Sequence, residues 1–409
     1  MSNETLWMLT AVFGAALLAP FTADRLARYA AVPPVVIEIG LGILIGPAVL
    51  GWVRDTDVVS ALSDLGLAFL MFLAGYEIDF RRIRGGPLRA AAWGWAASLV
   101  LGIGLGFLVA GTDAGLVVGL ALTTTALGTL LPMLRDHGLA DTALGTRFLA
   151  IGAAGEFLPI LAIAFALSGE RPAHTTIVLA AFGLVAVGAA IMARQPRHPR
   201  LARMVTSTLG TSAQVGLRLC VFVVVAMFAI AAGLGLDPVL GAFAAGIVVH
   251  LFLDAGDPHE SEQVLSRLEG IGFGFFIPIF FVMSGVRFDV DALLAEPSTL
   301  LLLPVFLLFF LLVRGGPTVL LQRDALGMRP AVSLGLLAST ALPLVVVITG
   351  IAQDEGVLGA ATASALVGSG MLSVLIFPTL ALRLQAGAGT AASRRPSTDS
   401  EPRSDSSSR

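Results

Sequence analysis

Residues 298–321 run for 24 positions with Arg314 as the only ionisable side chain, and residues 114–134 and 330–352 contain none. An α-helix rises about 1.5 Å per residue, so runs of this length reach across the ~30 Å hydrocarbon layer of a bilayer. None alternates in the manner of a barrel strand, and hydrocarbon offers no partner to open backbone groups, so the segments are read as spanning helices. Composition agrees: 56% hydrophobic and 13% charged residues, with a mean hydropathy of +0.90, describe a polytopic chain whose main solvent is lipid. The single cysteine, Cys220, excludes an internal disulfide and any multi-cysteine metal site. No Walker loop, nucleophile triad or metal-ligand cluster is found, so neither enzymatic activity, nor a cofactor, nor a nucleic-acid partner is expected.

Apolar stretches between charged punctuation give thirteen expected spans, near 5–22, 33–51, 60–77, 89–110, 114–134, 145–168, 175–193, 207–233, 237–253, 268–286, 298–321, 330–352 and 357–384. The first lacks a basic region before it and is followed by Asp24, Arg25 and Arg28, so it reads as a retained helix rather than a signal peptide. All 25 basic residues are arginine. With the amino terminus outside, 20 of them fall in cytoplasmic loops and tail, whereas only Arg54, Arg171 and Arg287 fall outside and Arg218 and Arg314 lie within spans. A missed or invented span would scramble that asymmetry, so the positive-inside rule favours thirteen helices, amino terminus out and carboxyl terminus in. Beyond about residue 385 the chain is rich in Ser, Arg, Gly and Pro, and a disordered cytoplasmic tail over 386–409 is expected.

Glu156 lies inside the sixth span, in the run from Ile151 to Leu167. Carboxylates at such depth are rare unless they pair, face water or carry an ion, which makes an ion or proton pathway the default reading. An internal echo points to the same region. Thr124-Thr125-Ala126-Leu127 in the fifth span recurs as Ser339-Thr340-Ala341-Leu342 in the twelfth, 215 positions on, and the segment ending Gly75 to Asp79 recurs as Gly285 to Asp289. Seven spans separate each pair, so the halves would be inverted repeats. Helix breakers fall in the same two spans, Gly128 and Pro132 in one and Pro343 in the other. Paired interruptions of this kind mark transporter sites, because unwound backbone and half-helix ends supply dipoles to an ion. Counted from the nearest cytoplasmic arginines, Glu156 and Arg314 both lie at roughly 13 Å depth and Thr125 and Thr340 at roughly 15 to 17 Å. The expected site therefore comprises Glu156, Thr125 and Thr124 as proton and cation ligands, Arg314 as compensating charge, and backbone at Ala126, Gly128, Thr340, Ala341 and Pro343. Guanidinium stays protonated, so Glu156 and not Arg314 would carry the proton and, alternately, a monovalent metal cation.

These residues, taken in order, resemble the monovalent cation:proton antiporters of bacteria, in particular the second branch of Na+/H+ and K+/H+ exchangers. Val32-Pro-Pro-Val-Val-Ile-Glu38 through Pro47 is similar to the family's second helix, Phe69 through Asp79 to its third, and Gly241 through Gly246 to its ninth. The resemblance covers about residues 5–385 and implies a homodimer in the plasma membrane that exchanges H+ for Na+ or K+. It also implies an elevator-type core (about 89–168 and 298–384) moving against scaffold and dimer helices (about 5–77 and 175–286), with the fifth and twelfth helices discontinuous and crossing. The family's sixth helix usually bears Asp-Asp or Asn-Asp where this chain has Gly155-Glu156. One carboxylate serving one proton or one cation implies electroneutral 1:1 exchange. Two other classes stay open on sequence: a gated K+ efflux channel, against which the absence of a carbonyl filter signature argues, and a Na+-coupled organic solute symporter. Glu38 and Asp64 read as carboxylates near helix starts, Arg218 has no assigned role, and His250 lies near an acidic loop.

Overall fold

The structure is a computed structural model that describes residues 3–26, 33–78, 83–166, 172–194, 215–234, 236, 238–254, 258–294 and 297–392. Every regular element among them is helical. In chain order these are α1 (Asn3–Leu26), α2 (Pro34–Ile45), α3 (Asp57–Tyr76), α4 (Gly86–Leu122), α5 (Leu127–Asp136), α6 (Ala143–Ala166), α7 (Pro172–Arg194), α8 (Val215–Gly233) and α9 (Pro238–Asp254). They continue with α10 (Pro258–Ile271), α11 (Ile277–Val286), α12 (Val290–Leu294), α13 (Pro297–Phe310), α14 (Gly316–Leu326), α15 (Met328–Ala338), α16 (Pro343–Asp354) and α17 (Ala360–Ala392). Two π-helical turns, Gly272–Phe276 and Leu311–Gly315, join α10 to α11 and α13 to α14. Proline is the first residue of six of these helices, where its missing N–H leaves no intrahelical bond unmade.

Each of the thirteen expected spans contains helix, and ten helical stretches among the described residues are long and apolar enough to cross a membrane. Pro34–Ile45 and Pro238–Leu253 are shorter apolar helices. The second helix stops at Ile45 rather than 51: Gly46 and Pro47 end it, and the chain folds back through turns in which the Gly51 N–H bonds the Gly46 carbonyl. Within α4 the expected fourth and fifth spans are two helical arms that double back at Gly111, whose φ of 71° only glycine adopts readily, so that Gly102 and Gly106 of the first meet Gly119 and Gly115 of the second. The last helix runs to Ala392, past the boundary near 385; residues 393–409 of the expected tail, and residues 207–214 of the eighth span, lie outside the described residues.

Two groups of helices emerge from the packing. In one, α3 lies against α9 and α11, α11 against α2, α2 against α1, and α9 against α7 and α8. In the other, α4 packs on α6, α14 on α15, and α17 on α13 and α15. Hydrocarbon offers no hydrophobic drive to join helices, so close backbone approach has to do it, and glycines mark the closest places. A methyl group built on Gly246 of α9 would run into the Phe72 carbonyl of α3, and one on Gly75 of α3 would run into the Phe243 carbonyl of α9. Large apolar side chains such as Trp7, Trp93, Leu108 and Leu301 point outward and are well exposed, as a lipid-facing surface requires.

The interlock at α3 and α9 predicts that Gly246→Ala destabilises the detergent-solubilised protein by roughly 1–3 kcal/mol, because the obstacle is backbone that cannot rotate aside. Gly40→Ala, with nothing within 4 Å of the new methyl, is expected to be neutral or slightly stabilising. Equal melting temperatures for the two variants would refute the interlock.

Candidate functional site

Two helices come apart where the sequence repeats. Hydroxyls in the run Thr123 to Thr125 compete with the helix for its carbonyls: Thr123 donates to Leu120 O at 2.7 Å and Thr124 to Ala121 O at 2.8 Å. The helix ends at Leu122 and resumes as α5 at Leu127. In the second half α15 ends at Ala338 and α16 begins at Pro343, which has no N–H with which to continue the ladder. The unwound segments cross. Ala126 N donates to Thr340 O at 2.8 Å, and the Thr125 hydroxyl donates to Ala338 O, the last residue of α15, at 2.6 Å.

Glu156, on α6, is 2% exposed and sits at the beginning of α5. Its Oε1 accepts from Leu127 N at 2.9 Å and from Gly128 N at 3.3 Å, the first two amides of that half-helix. These amides have no intrahelical partner and carry the positive end of the helix dipole, so the carboxylate is matched to them in charge and in hydrogen bonding. Its Oε2 is buried and has no hydrogen-bond partner.

Arg314 is equally buried and lies in the π-helical turn between α13 and α14. A π turn widens the helix and leaves carbonyls to be satisfied from elsewhere. Ser98 of α4 does this by donating to Val313 O at 2.7 Å. The guanidinium donates from Nε to the Thr125 hydroxyl at 2.9 Å, from Nη2 to Ile151 O at 3.1 Å and from Nη1 to Ser98 Oγ at 3.5 Å. Thr125 thereby links the cation to the carbonyl end of α15. No ion pair within 4.0 Å joins Arg314 to Glu156; the neighbours of the guanidinium are hydroxyls and carbonyl dipoles.

A family model described as the transmembrane sodium/hydrogen exchanger matches residues 13–382. The chain belongs to the sodium/hydrogen exchanger family. It is a multi-pass integral membrane protein. The putative Na+/H+ antiporter YjbQ of Bacillus subtilis is 27% identical over 398 residues, 92% of this chain and 63% of that relative, so the chain spans under two thirds of its length. The Na+/H+-K+ antiporter GerN of Bacillus cereus is 28% identical over 64% of this chain and 67% of its own. The sodium proton antiporter MjNhaP1 of Methanocaldococcus jannaschii shares the fold, with a TM-score of 0.63 over 96% of this chain and 99% of that one, at 14% identity.

Within this fold, Glu156, Thr125, Arg314, Ala126, Thr340 and Ala341 are brought together at the crossing. Thr124 is not directed at the carboxylate; its hydroxyl turns back on its own helix. The first break falls at Thr123 to Ala126, ahead of the anticipated breakers: Gly128 is the second residue of α5 and Pro132 lies inside it. Pro343 does open the second half-helix. Gly155, where the resemblance leads one to expect a polar side chain, has no room for any: a Cβ there would stand 2.7 Å from Arg314 Nη2 and from Thr125 Oγ1. Asp64 is two turns into α3 near Arg287 and Glu38 is buried one turn into α2, so both lie near helix starts, and His250 meets Tyr76 edge-on with ring centroids 5.2 Å apart. Two residues went unnoticed in the sequence, Ser98 and Ser373. Ser373 of α17 accepts from Ala341 N at 3.0 Å and donates to Ala341 O at 3.0 Å, pinning the second break. Ser98 lies 216 positions before Arg314 and Ser373 217 after Glu156, close to the 215-residue echo but not on it.

Since Thr125 Oγ1 serves Ala338 O and Arg314 together, Thr125→Val is expected to destabilise by about 1–3 kcal/mol through two orphaned buried groups, while Thr125→Ser stays close to wild type. Thermal unfolding of the purified variants in one detergent checks this; a Val variant as stable as the Ser variant would remove Thr125 from the crossing's support.

Proposed function

We propose that this protein exchanges monovalent cations, Na+ and/or K+, for protons across the plasma membrane, with Glu156 as the one carrier of either passenger. The observation that carries this reading is the divided carboxylate. One oxygen is fixed by the amino end of α5, whereas the other is buried with nothing to bond. A buried carboxylate oxygen in that condition is costly until a proton or a cation reaches it. The two occupants exclude each other, and that exclusion is the coupling.

Arg314 keeps its charge throughout and is held by groups other than Glu156, so occupation of the carboxylate does not require breaking an ion pair. The loaded carrier has the same net charge with H+ as with a monovalent metal, which makes exchange one for one and electroneutral. We take the movement to be elevator-like: the helices around the crossing (about 89–168 and 298–384) shift as a core against a dimer-forming scaffold (about 5–77 and 175–286), in thirteen spans with the amino terminus outside. The two packing groups and the resemblance of fold to an antiporter support this reading. Thr125 orders the crossing beside Glu156, with the backbone at Ala126, Gly128, Thr340, Ala341 and Pro343 completing its polar lining. The names of the relatives suggest Na+ first and K+ second.

In proteoliposomes with an imposed pH gradient, wild type is expected to dissipate the gradient on addition of Na+ or K+ without a response to a potential clamp. Glu156→Gln should reduce this flux at least about a hundredfold, since a neutral amide can neither bind the proton nor balance the cation. Glu156→Asp should keep part of it. Full flux in Glu156→Gln, or flux that follows the membrane potential, would overturn the carrier role or the stoichiometry respectively.

A further inference from the structure

Away from the crossing, one buried acid has no part in the mechanism above. Glu77 caps the carboxyl end of α3, and its side chain is 1% exposed. Its Oε1 stands 3.8 Å from Arg135 Nη1, a loose ion pair, and its Oε2 is buried with no hydrogen-bond partner. The same Nη1 makes a tighter bond, 2.9 Å, to Glu269 Oε1 of α10. Arg135 is thus shared unequally. It is 41% exposed and Glu269 29% exposed, so both reach water while Glu77 does not.

The position of this cluster along the helices gives it meaning. Arg135 lies in the last turn of α5, the ten-residue half-helix whose first two amides hold Glu156, so about 10 Å of helix separates Gly128 from Arg135. Gly128 packs against Leu70 and Ala74 of α3. Glu77 follows at the next turn on that face of α3, three residues beyond Ala74. The seam between α3 and α5 therefore has a half-bonded carboxylate near each end, Glu156 deep and Glu77 towards the exposed guanidinium. The two acids are near enough for like-charge repulsion to reach between them. The charged groups facing Glu77 are Arg135 from α5, Glu269 from α10 and, farther off, Glu156 from α6, while His250 of α9 meets the neighbouring Tyr76 edge-on.

We infer that Glu77 is a second binding station for a monovalent cation, occupied on the way to Glu156 and guarded by Arg135, which withdraws onto Glu269 when the cation takes its place. This rests on the exchange reading given above. A loosely held buried carboxylate with one free oxygen is a cation ligand that lacks only its cation. The alternative acceptor for the displaced guanidinium is already in contact with it.

The test is equilibrium binding of radioactive sodium to the purified full chain, with radioactive rubidium in parallel to cover a potassium-preferring site. Glu156→Gln should retain weaker saturable binding, and Glu156→Gln combined with Glu77→Gln should lose it. In the Glu156→Gln background, Arg135→Gln should tighten the remaining site about tenfold by removing the competing charge. Transport supplies a second readout: Glu77→Gln should raise the KM for the cation about tenfold when it is offered on the side where Arg135 lies, with Vmax within about threefold of wild type and Glu77→Asp largely restored. If folded, monodisperse Glu156→Gln binds neither ion, or if Glu77→Gln lowers Vmax from both sides at unchanged KM, Glu77 is only structural and the station does not exist. Wild type that binds cation at two sites yet exchanges none for protons would instead sink the exchange reading and leave the station standing.

Discussion

Breaking a helix inside hydrocarbon exposes amides and carbonyls that no water can reach, and each must find a partner in the protein. The crossing of the two broken helices in this chain is the answer to that demand. Thr125 covers a carbonyl at the end of α15, Ala126 and Thr340 bond backbone to backbone, Glu156 covers the first amides of α5, and Ser373 covers Ala341 on both sides. The site is therefore not a set of ligands placed in an independent fold. The groups that hold the break together are also the ones on which the proposed exchange rests: one oxygen of Glu156 caps α5, and the other is left without a partner.

The two halves of the chain meet this demand with different residues at corresponding places. Ser98 and Arg314 are 216 positions apart and touch each other, while Glu156 and Ser373 are 217 apart and each reaches across to a break. In the first half a neutral serine on α4 accompanies an acid on α6. In the second the cation stands after α13 and a serine lies on α17. One acid and one base thus enter an otherwise neutral pattern; the acid is matched to the amino end of α5, and the base to two hydroxyls and a carbonyl of α6 rather than to the acid. Pairing them directly would have satisfied both charges. Keeping them apart leaves the carboxylate unfinished, and the absence of any side chain at Gly155 is the local condition for it, because the guanidinium occupies that space.

The sequence revealed most where lipid allows few solutions. Long uncharged runs have to be helices, so every expected span contains one, and Glu156 and Arg314 stood out because charge is scarce at that depth. The matched depths put them on one level but carried no information on direction around each helix, and so did not tell that Arg314 faces Thr125 and Ile151. The break was legible as a region and not as a residue. Pro132 is conspicuous in a sequence, yet a membrane helix tolerates proline, and the hydroxyl run just before Ala126 does the unwinding. The π turn at Arg314 left no pattern of its own, since one extra residue in a run of leucines and valines does not alter its polarity. Ser98 and Ser373 look like ordinary small residues of membrane helices until contacts assign them.

The shortness of α5 sets how the buried carboxylate communicates with water. Ten residues at 1.5 Å per residue give about 15 Å, so the helix that begins at Glu156 ends where Arg135 is already exposed. A full-length spanning helix would have put its amino end at one membrane surface and its carboxyl end at the other, with its dipole ends in water and of little use. Broken near the middle, the helix brings its positive end to the carboxylate in the dry interior, where a dipole counts for most, and its other end to the solvent. The face of α5 at Gly128 is covered by Leu70 and Ala74 of α3. Any rearrangement of α5 relative to α3 therefore changes what covers Glu156 and what Arg135 can reach at the same time, because both are fixed to the two ends of one rigid ten-residue rod.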